Sequence, residues 1–354
     1  MKQQAIQYVA LDVHQATLVV SVRDEQGSIV MRATVATEAK AIVGLVRGLG
    51  PRVHITFEEG TQAQWLHDLL TKHAERVIVC NTRGRGEIGN KSDRVDADRL
   101  SELLRLGALK PVYHGASALL TLKELVRSYV GLVEDGTRVM LRIKALFRAR
   151  GIKTPGTSVY RQSKRKEWLA RLEERGACMR AEALLAELDV LQELRPKAKA
   201  AMITEARRQP GWKILRSIPF LGPVRVAQIL AIMATPWRFR TKRQAWPYVG
   251  LAVVTRSSAD QEFAEGKLRR RKREPLTRGL NRNHNPLLSR CSRERRMRRR
   301  RRMGRSKNIT TRASLVACAR RWRSSLARKI VAIALRLWKA GEVWDATKLN
   351  VQAT

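Results

Sequence analysis

The N-terminal third of the chain follows a succession that few folds accommodate. Gln7 to His14 reads as a strand, Thr17 to Val22 as a second and, after the turn Asp24-Glu25-Gln26-Gly27, Ser28 to Val35 as a third. Helix-period residues from Glu38 to Leu49, an apolar run Val53 to Phe57, a helix from about Gln62 to His73 and a strand Val77 to Cys80 come next. The order is a three-stranded meander followed by helix, strand, helix, strand, which predicts an α/β layer. One residue breaks its apolar pattern. Asp12 stands in the middle of YVALDVH, where burying a carboxylate without a cation is costly.

This order is that of a ribonuclease-H-like sheet, in which an Asp at the centre of strand one, an acid ending strand four and acids on a later helix can converge. Those positions hold Asp12, the Glu58-Glu59 pair, and Asp93 with Asp96 in the stretch KSDRVDADRL. Asp93 and Asp96 are three residues apart at the head of a run whose leucines, Leu100, Leu103, Leu104 and Leu106, recur with helical spacing, so both carboxylates share one helix face. Paired carboxylates need a cation or basic group between them, and hard oxygen ligands suit Mg²⁺ or Mn²⁺. The plainer reading is that acids favour the positive end of a helix capped by Ser92. Glu58 and Glu59 point to opposite faces of the strand; Glu58, which abuts the apolar run, is favoured as the ligand, with Glu59 its alternative. His14 reads as an exposed histidine at the strand end, with a place beside the site as its alternative.

A chain of 354 residues with 44% apolar content can bury two or three cores, which excludes global disorder. Its net charge of +40 and pI near 11.4 would attract any polyanion, and nucleic acid is the leading partner. No apolar run reaches the roughly 18 to 20 residues of a membrane span, and Met1-Lys2-Gln3-Gln4 leads into a strand rather than a signal peptide. A soluble intracellular protein is expected. Cys80, Cys178, Cys291 and Cys318 are scattered without zinc-ligand spacing and read as reduced thiols.

From Ala116 to about Leu194 the pattern is helical and charged, interrupted at Gly151-Ile152-Lys153-Thr154-Pro155-Gly156, which predicts a long antiparallel helical pair. Such arms mediate self-association or lie along nucleic acid; ordinary bundle packing explains the same leucines. Trp212 to Leu230 has the form helix, Pro-x-x-Gly turn, helix, whose second N-terminus suits a backbone phosphate. A short helix from Arg243 to Leu251 and a strand-like run Val253-Val254-Thr255-Arg256 precede Ser257 and Ser258, which by themselves read as a turn. Lys267 to Lys307 then carries nineteen basic residues against two acids. The helical apolar pattern returns from Leu326 to Trp338.

Taken together, YVALDVH, ITFEEGT, NKSDRVDADRLSELLRLG, SIPFLGPVRVAQILA, WPYVGLAVVTRSSAD and LARKIVAIALRLWKAG resemble the transposases of the insertion-sequence 110 group with its 116 and 902 relatives. The resemblance covers nearly the whole chain except about residues 289–325. It implies a RuvC-like DEDD domain over 1–112, a helical coiled-coil connection over 113–208, and a mostly α transposase domain with a helix-hairpin-helix-like element over 209–354. The family's four acids fall on Asp12, Glu58, Asp93 and Asp96. Its nucleophilic serine falls on Ser258, eight residues beyond Gly250, with Ser257 the alternative, and Asp98 is an extra acid.

The resemblance further implies Mg²⁺ or Mn²⁺ as cofactor, double-stranded DNA and a structured guide RNA as partners, and a homodimer or tetramer that completes a site divided between domains. The expected location is the cytoplasm of a prokaryote, at the nucleoid. Two alternatives stay open: a nucleic-acid-binding remnant without catalysis, and a RuvC-like nuclease that uses water. One departure bears on them. Residues 289–325, with five consecutive arginines from Arg298 to Arg302, are either a basic insertion that holds nucleic acid or out-of-frame text from a GC-rich gene. In both cases the segment is expected to lack a packed core.

Overall fold

Alternation at period two sorts the N-terminal strands into two faces, and each face receives different helices. In the computed structural model, which describes residues 5–81, 93–114, 119–219, 221–256, 261–264, 267–270, 276–293 and 309–345, the chain divides into two compact units, Met1–Ala118 and Leu119–Thr354. In the first, β1 (Gln7–Val13), β2 (Thr17–Arg23), β3 (Ile29–Ala36), β4 (Val53–Glu58) and β5 (Arg76–Cys80) form one sheet in the order β3-β2-β1-β4-β5. The meander β1 to β3 is antiparallel, whereas β4 joins the other edge of β1 in parallel and β5 joins β4 in parallel. Parallel neighbours need crossovers, and α1 (Ala39–Gly48) and α2 (Ala63–Leu70) supply them. This is a mixed α/β unit consistent with the ribonuclease-H-like order.

One face of the sheet carries Val9, Leu11, Leu18, Val20, Val22, Val53, Ile55 and Phe57, packed on Ile42 and Val46 of α1 and on Leu66 and Leu70 of α2. Each fully buried Leu, Ile or Phe stabilises the fold by about 1.5–3 kcal/mol. The other face receives α3 (Asp93–Arg105), where Ala10, Cys80 and Leu100 make a smaller apolar cluster. Helix α2 stops at Leu70, short of the expected His73, because the Leu70 carbonyl accepts the N–H groups of both His73 and Ala74 (2.9 Å each), a turn that leaves the helical path.

The second unit is mostly helical. The expected long pair is α4 (Leu120–Arg148) and α6 (Arg175–Arg207), with Leu122, Val126 and Tyr129 packed in one cluster with Met202 and Ala206, while Val139, Ile143 and Phe147 meet Ala181, Leu185 and Leu188, so the helices run antiparallel. Between them lie Gly151 (φ 70°) and Gly156 (φ 61°), then α5 (Arg165–Leu169), whose Trp168 meets Phe147 edge to face at 5.6 Å. Next come α7 (Gly211–Ser217), α8 (Pro223–Met233), the 3₁₀ turn Pro236–Arg238 and α9 (Lys242–Val249).

Strands β6 (Val253–Arg256) and β9 (Leu276–Leu280) pair antiparallel, as do β7 (Gln261–Ala264) and β8 (Lys267–Arg270). Helices α10 (Pro286–Arg293) and α11 (Ile309–Ala340) complete the unit. Helix α11 begins well before Leu326, where the apolar pattern resumes. The expectation that residues 289–325 have no packed core fails at their start: Ser289 and Cys291 are buried beside Leu288, Cys291 Sγ donates to Gln228 Oε1 (2.9 Å), and Arg290 pairs with Glu134 (2.7 Å). Among the described residues no helix is long and apolar enough to cross a membrane.

Candidate active site

Asp12 belongs to the face of β1 opposite the main core. Val9 and Leu11 enter that core, so Ala10 and Asp12 face α3. The parallel register pairs Leu11 with Phe57, and one step further sets Glu58 beside Asp12 on neighbouring strands, about 4.8 Å apart between backbones. Val53, Ile55 and Phe57 fill the core, so by parity Glu58 shares the face of Asp12 and Glu59 does not. Both glutamates are exposed. Asp12 Oδ2 lies 3.2 Å from His14 Nε2, so the strand-end histidine stands at this acid.

The direction of α3 brings its first turns to the same place. Arg105, at the end of α3, reaches the carbonyl of Glu25 (3.4 Å), whose side chain accepts from the Ile6 N–H just before β1, whereas Ser21, opposite Ala10, reaches Asp98 (2.7 Å) and Ser101 (3.3 Å). As β1 advances, α3 recedes, so the two are antiparallel. Ala10 is level with Leu100 in their shared cluster. Two strand residues onward, about 6.6 Å, correspond to about four helix residues backward. That carries Asp96 to the level of Asp12 and Asp93 one turn beyond it. Ala97, Leu100, Ser101 and Leu104 form the buried stripe, and Asp96, one turn before Leu100, flanks it toward the helix start. Asp96 is half-buried, and the side chain of Asp93 lies outside the described residues.

The remaining acids are engaged otherwise. Asp98 takes a bidentate contact from Arg32 (3.1 Å from Nε, 2.9 Å from Nη2) and a hydrogen bond from Ser21 (2.7 Å). Burial works against its ionisation, but the hydrogen bonds from Arg32 and Ser21 and the charges of Arg32 and Arg23 outweigh it and hold its pKa below the usual carboxylate value. Glu59 accepts from His114 Nε2 (2.6 Å), while His114 Nδ1 meets Gln64 Oε1 (3.2 Å) and its ring stacks near His67 at 5.3 Å. Nothing in the sequence marks His114 or Arg32. Their partners lie 55 and 66 residues away, and no local pattern connects such pairs.

A divalent cation fits this donor set by its chemistry: Asp12, Glu58 and Asp96 offer only carboxylate oxygens, the ligands of hard ions, at one end of one sheet face. Among the described residues no group of three or more His, Cys, Asp or Glu side chains is gathered closely enough to hold a metal.

In the second unit, Ser257, Ser258 and Asp260 lie outside the described residues. The approach to them is defined. Helix α9 opens with a Thr241–Gln244 capping box and closes on Gly250 at φ 74°, a left-handed conformation in which an added Cβ would stand 2.6 Å from the His284 ring. From there the chain enters β6, held by β9. In the α7–α8 turn, Arg216 Nη1 donates to the Leu221 carbonyl (2.5 Å), Gly222 is extended at the helix N-cap, and Pro223 starts α8.

Comparison with known proteins accounts for these features. A family model described as a transposase, the DEDD transposase of IS110, matches residues 9–149, across the sheet, α3 and α4. A second, described as the transposase IS116/IS110/IS902 family, matches residues 212–300, from α7 through α10. A search of curated proteins returned no match. A DEDD domain points to a divalent metal, in keeping with the oxygen donors at the end of β1. With one match covering the acid-bearing unit and the other the segment that holds the two serines, the chain belongs to the IS116/IS110/IS902 family of transposases.

Proposed function

We propose that this transposase cuts and rejoins DNA strands with Asp12, Glu58, Asp93 and Asp96 as the ligands of Mg²⁺ or Mn²⁺ and with Ser258 as nucleophile, Ser257 being the alternative. The observation that supports the reading is the parallel register of β1 and β4, which runs to Leu11–Phe57 one residue short of Asp12 and Glu58, on a sheet whose second face packs on α3. When bound, a divalent cation there would polarise the scissile phosphate and ease deprotonation of the attacking hydroxyl. The serine Oγ forms a bond to phosphorus as the P–O3′ bond breaks, leaving a phosphoserine and a free 3′ hydroxyl. A 3′ hydroxyl from the exchanged strand then attacks that phosphorus and releases the serine, so no ATP is consumed. In this reading residues 1–112 form a RuvC-like acid-bearing domain, 113–208 a coiled-coil connection, and 209–354 a serine domain with a helix-hairpin-helix-like element at α7 and α8. A structured RNA encoded by the element guides it, and the working form is a homodimer or tetramer.

The test is to trap protein on a nicked donor substrate and resolve the products on a denaturing gel. A covalent DNA adduct that disappears in Ser258→Ala is expected. Cleavage without an adduct would place the chemistry on water, and binding without cleavage would reduce the chain to a nucleic-acid-binding protein.

A further inference from the structure

Trp237 is the most exposed large apolar side chain among the described residues, at 70%, yet it sits on one of the most tightly held turns in the second unit. Ala234 precedes that turn at φ 60° and ψ −47°, the one positive φ outside glycine among the described residues, a conformation that persists only when its surroundings enforce it. The enforcement is visible. Thr235 Oγ1 accepts from the Trp237 N–H (3.3 Å), Arg238 donates to the Ile232 carbonyl (2.9 Å), and Lys339 Nζ donates to the carbonyls of Phe239 (2.6 Å) and Arg240 (3.1 Å). Phe239 and the guanidinium of Arg238 are turned inward onto Tyr248, at 5.4 Å and 4.4 Å. The loop is therefore braced on both sides of an indole that it directs outward. Core packing explains none of that exposure.

The surroundings specify the ligand. Lys339 Nζ lies 5.3 Å from the Trp237 ring centroid, an ammonium over one face of the indole, and Arg240, Lys242 and Arg243, three to six residues on in the chain, are exposed. Between Glu205 and Asp260 the sequence holds no acid and ten lysines or arginines. A lone exposed indole in so basic a stretch is poorly suited to an apolar protein contact. It suits a flat π system joined to phosphates.

We propose that Trp237 is a stacking platform for an unpaired nucleobase, with Lys339, Arg240, Lys242 and Arg243 attracting the adjoining phosphates. Every base has a π face, so such a platform admits any sequence and selects for bases outside a duplex. An unpaired RNA base and a DNA base extruded from its helix share this chemistry. The proposal rests on the reading of the chain as an enzyme that handles nucleic acid, and it identifies where an unpaired strand is held.

The test uses the full-length protein with single-stranded RNA, single-stranded DNA and duplex DNA of one sequence, each labelled with 2-aminopurine. Trp237→Leu removes the π face and keeps an apolar side chain; Trp237→Phe keeps a smaller ring. In Trp237→Leu, affinity for single strands should fall about 5- to 150-fold, the worth of one stacked base, and the 2-aminopurine quenching should vanish. Duplex affinity and thermal midpoint should be unchanged, and Trp237→Phe should restore part of the quenching. A larger loss on RNA identifies an RNA base as the occupant, and a larger loss on DNA an extruded DNA base. Unaltered single-strand binding, an equal loss on duplex, or weakened self-association in sedimentation would overturn the platform alone. Wild-type protein that binds no nucleic acid would overturn the transposase reading as well.

Discussion

Asp96 and Asp98 are two positions apart, and over that interval a helix turns by about 200°. Asp98 is held by Arg32 on β3, and the Asp96 carboxylate leaves the helix on a different side. This gives two acids on one helix opposite sensitivities. Asp96→Asn is predicted to abolish strand cleavage while leaving nucleic-acid binding and thermal midpoint nearly unchanged, because phosphate affinity comes from the basic surface. Asp98→Asn should keep cleavage and lose stability, about 1–3 kcal/mol at neutral pH for a charged hydrogen bond at a largely buried site. The sign of its pH dependence follows from the lowered pKa of Asp98. Its contribution is complete above the unfolded carboxylate value near 4 and is lost as pH falls below that value through the folded one. Urea unfolding of both proteins should show the gap between wild type and Asp98→Asn closing below about pH 4. A gap that stays constant on acidification would remove the charge argument. Asp12 was legible in the sequence because a charge interrupts an apolar strand, but Asp98 and Arg32 were not, since their pairing exists only once α3 lies across β2 and β3.

At the scale of elements, alternation identified all five strands of the first sheet, and their order followed because a meander and parallel crossovers leave few alternatives. Glu58 and Glu59 remained an open pair in the sequence. The strand register assigns their faces, and His114, 55 residues on, occupies the carboxylate of Glu59. Helix ends were less legible than strands, as α2 and α11 show, because termini depend on which carbonyls the following turn recruits. The α9–β6 corner was legible only as a Gly-Leu boundary. Its constraint is steric: Gly250 needs φ 74° and also touches His284, whereas Gly279 at φ 91° has nothing within 4 Å of an added Cβ. Gly250→Ala should therefore lower the thermal midpoint more than Gly279→Ala, which bears only the conformational cost of about 1–3 kcal/mol. Because Gly250 sets the corner from which β6 leaves, and the two serines follow β6 in the chain, Gly250→Ala should also reduce covalent adduct formation. Equal melting of the two variants would show that contact with His284 does not matter.

For the molecule as a whole, a charge of +40 makes nucleic-acid affinity an electrostatic quantity, and the open matter is whether the arginine run belongs to the surface that supplies it. Residues 298–302 lie outside the described residues, but ordered packing comes close on both sides. Cys291 is bonded to Gln228 on one side, and Ala327 and Leu335 enter the core of α8 and α9 on the other. The family sequence that flanks the run is thus folded up to Arg293, and again with buried side chains from Ala327. If Arg298 to Arg302 contact phosphates, each contributes about 0.9 to the slope of log affinity against log salt. Replacing all five with glutamine should then flatten that slope by about 4.5 units. If the run is out-of-frame text, the same replacement should raise solubility and leave specific binding as it was, and restoring a family-like reading frame across 289–325 should raise recombination. The two outcomes exclude each other. Deletion of the run with full recombination would eliminate the phosphate contacts, and an active wild-type chain that loses recombination when the frame is restored would eliminate the frame change. The intact packing of Ser289 and Cys291 adds a sharper form of the second test: a restored frame that begins before Cys291 must still fill the pocket beside Gln228 and Leu288, and a variant that leaves this pocket empty should melt earlier than the natural chain whatever its activity.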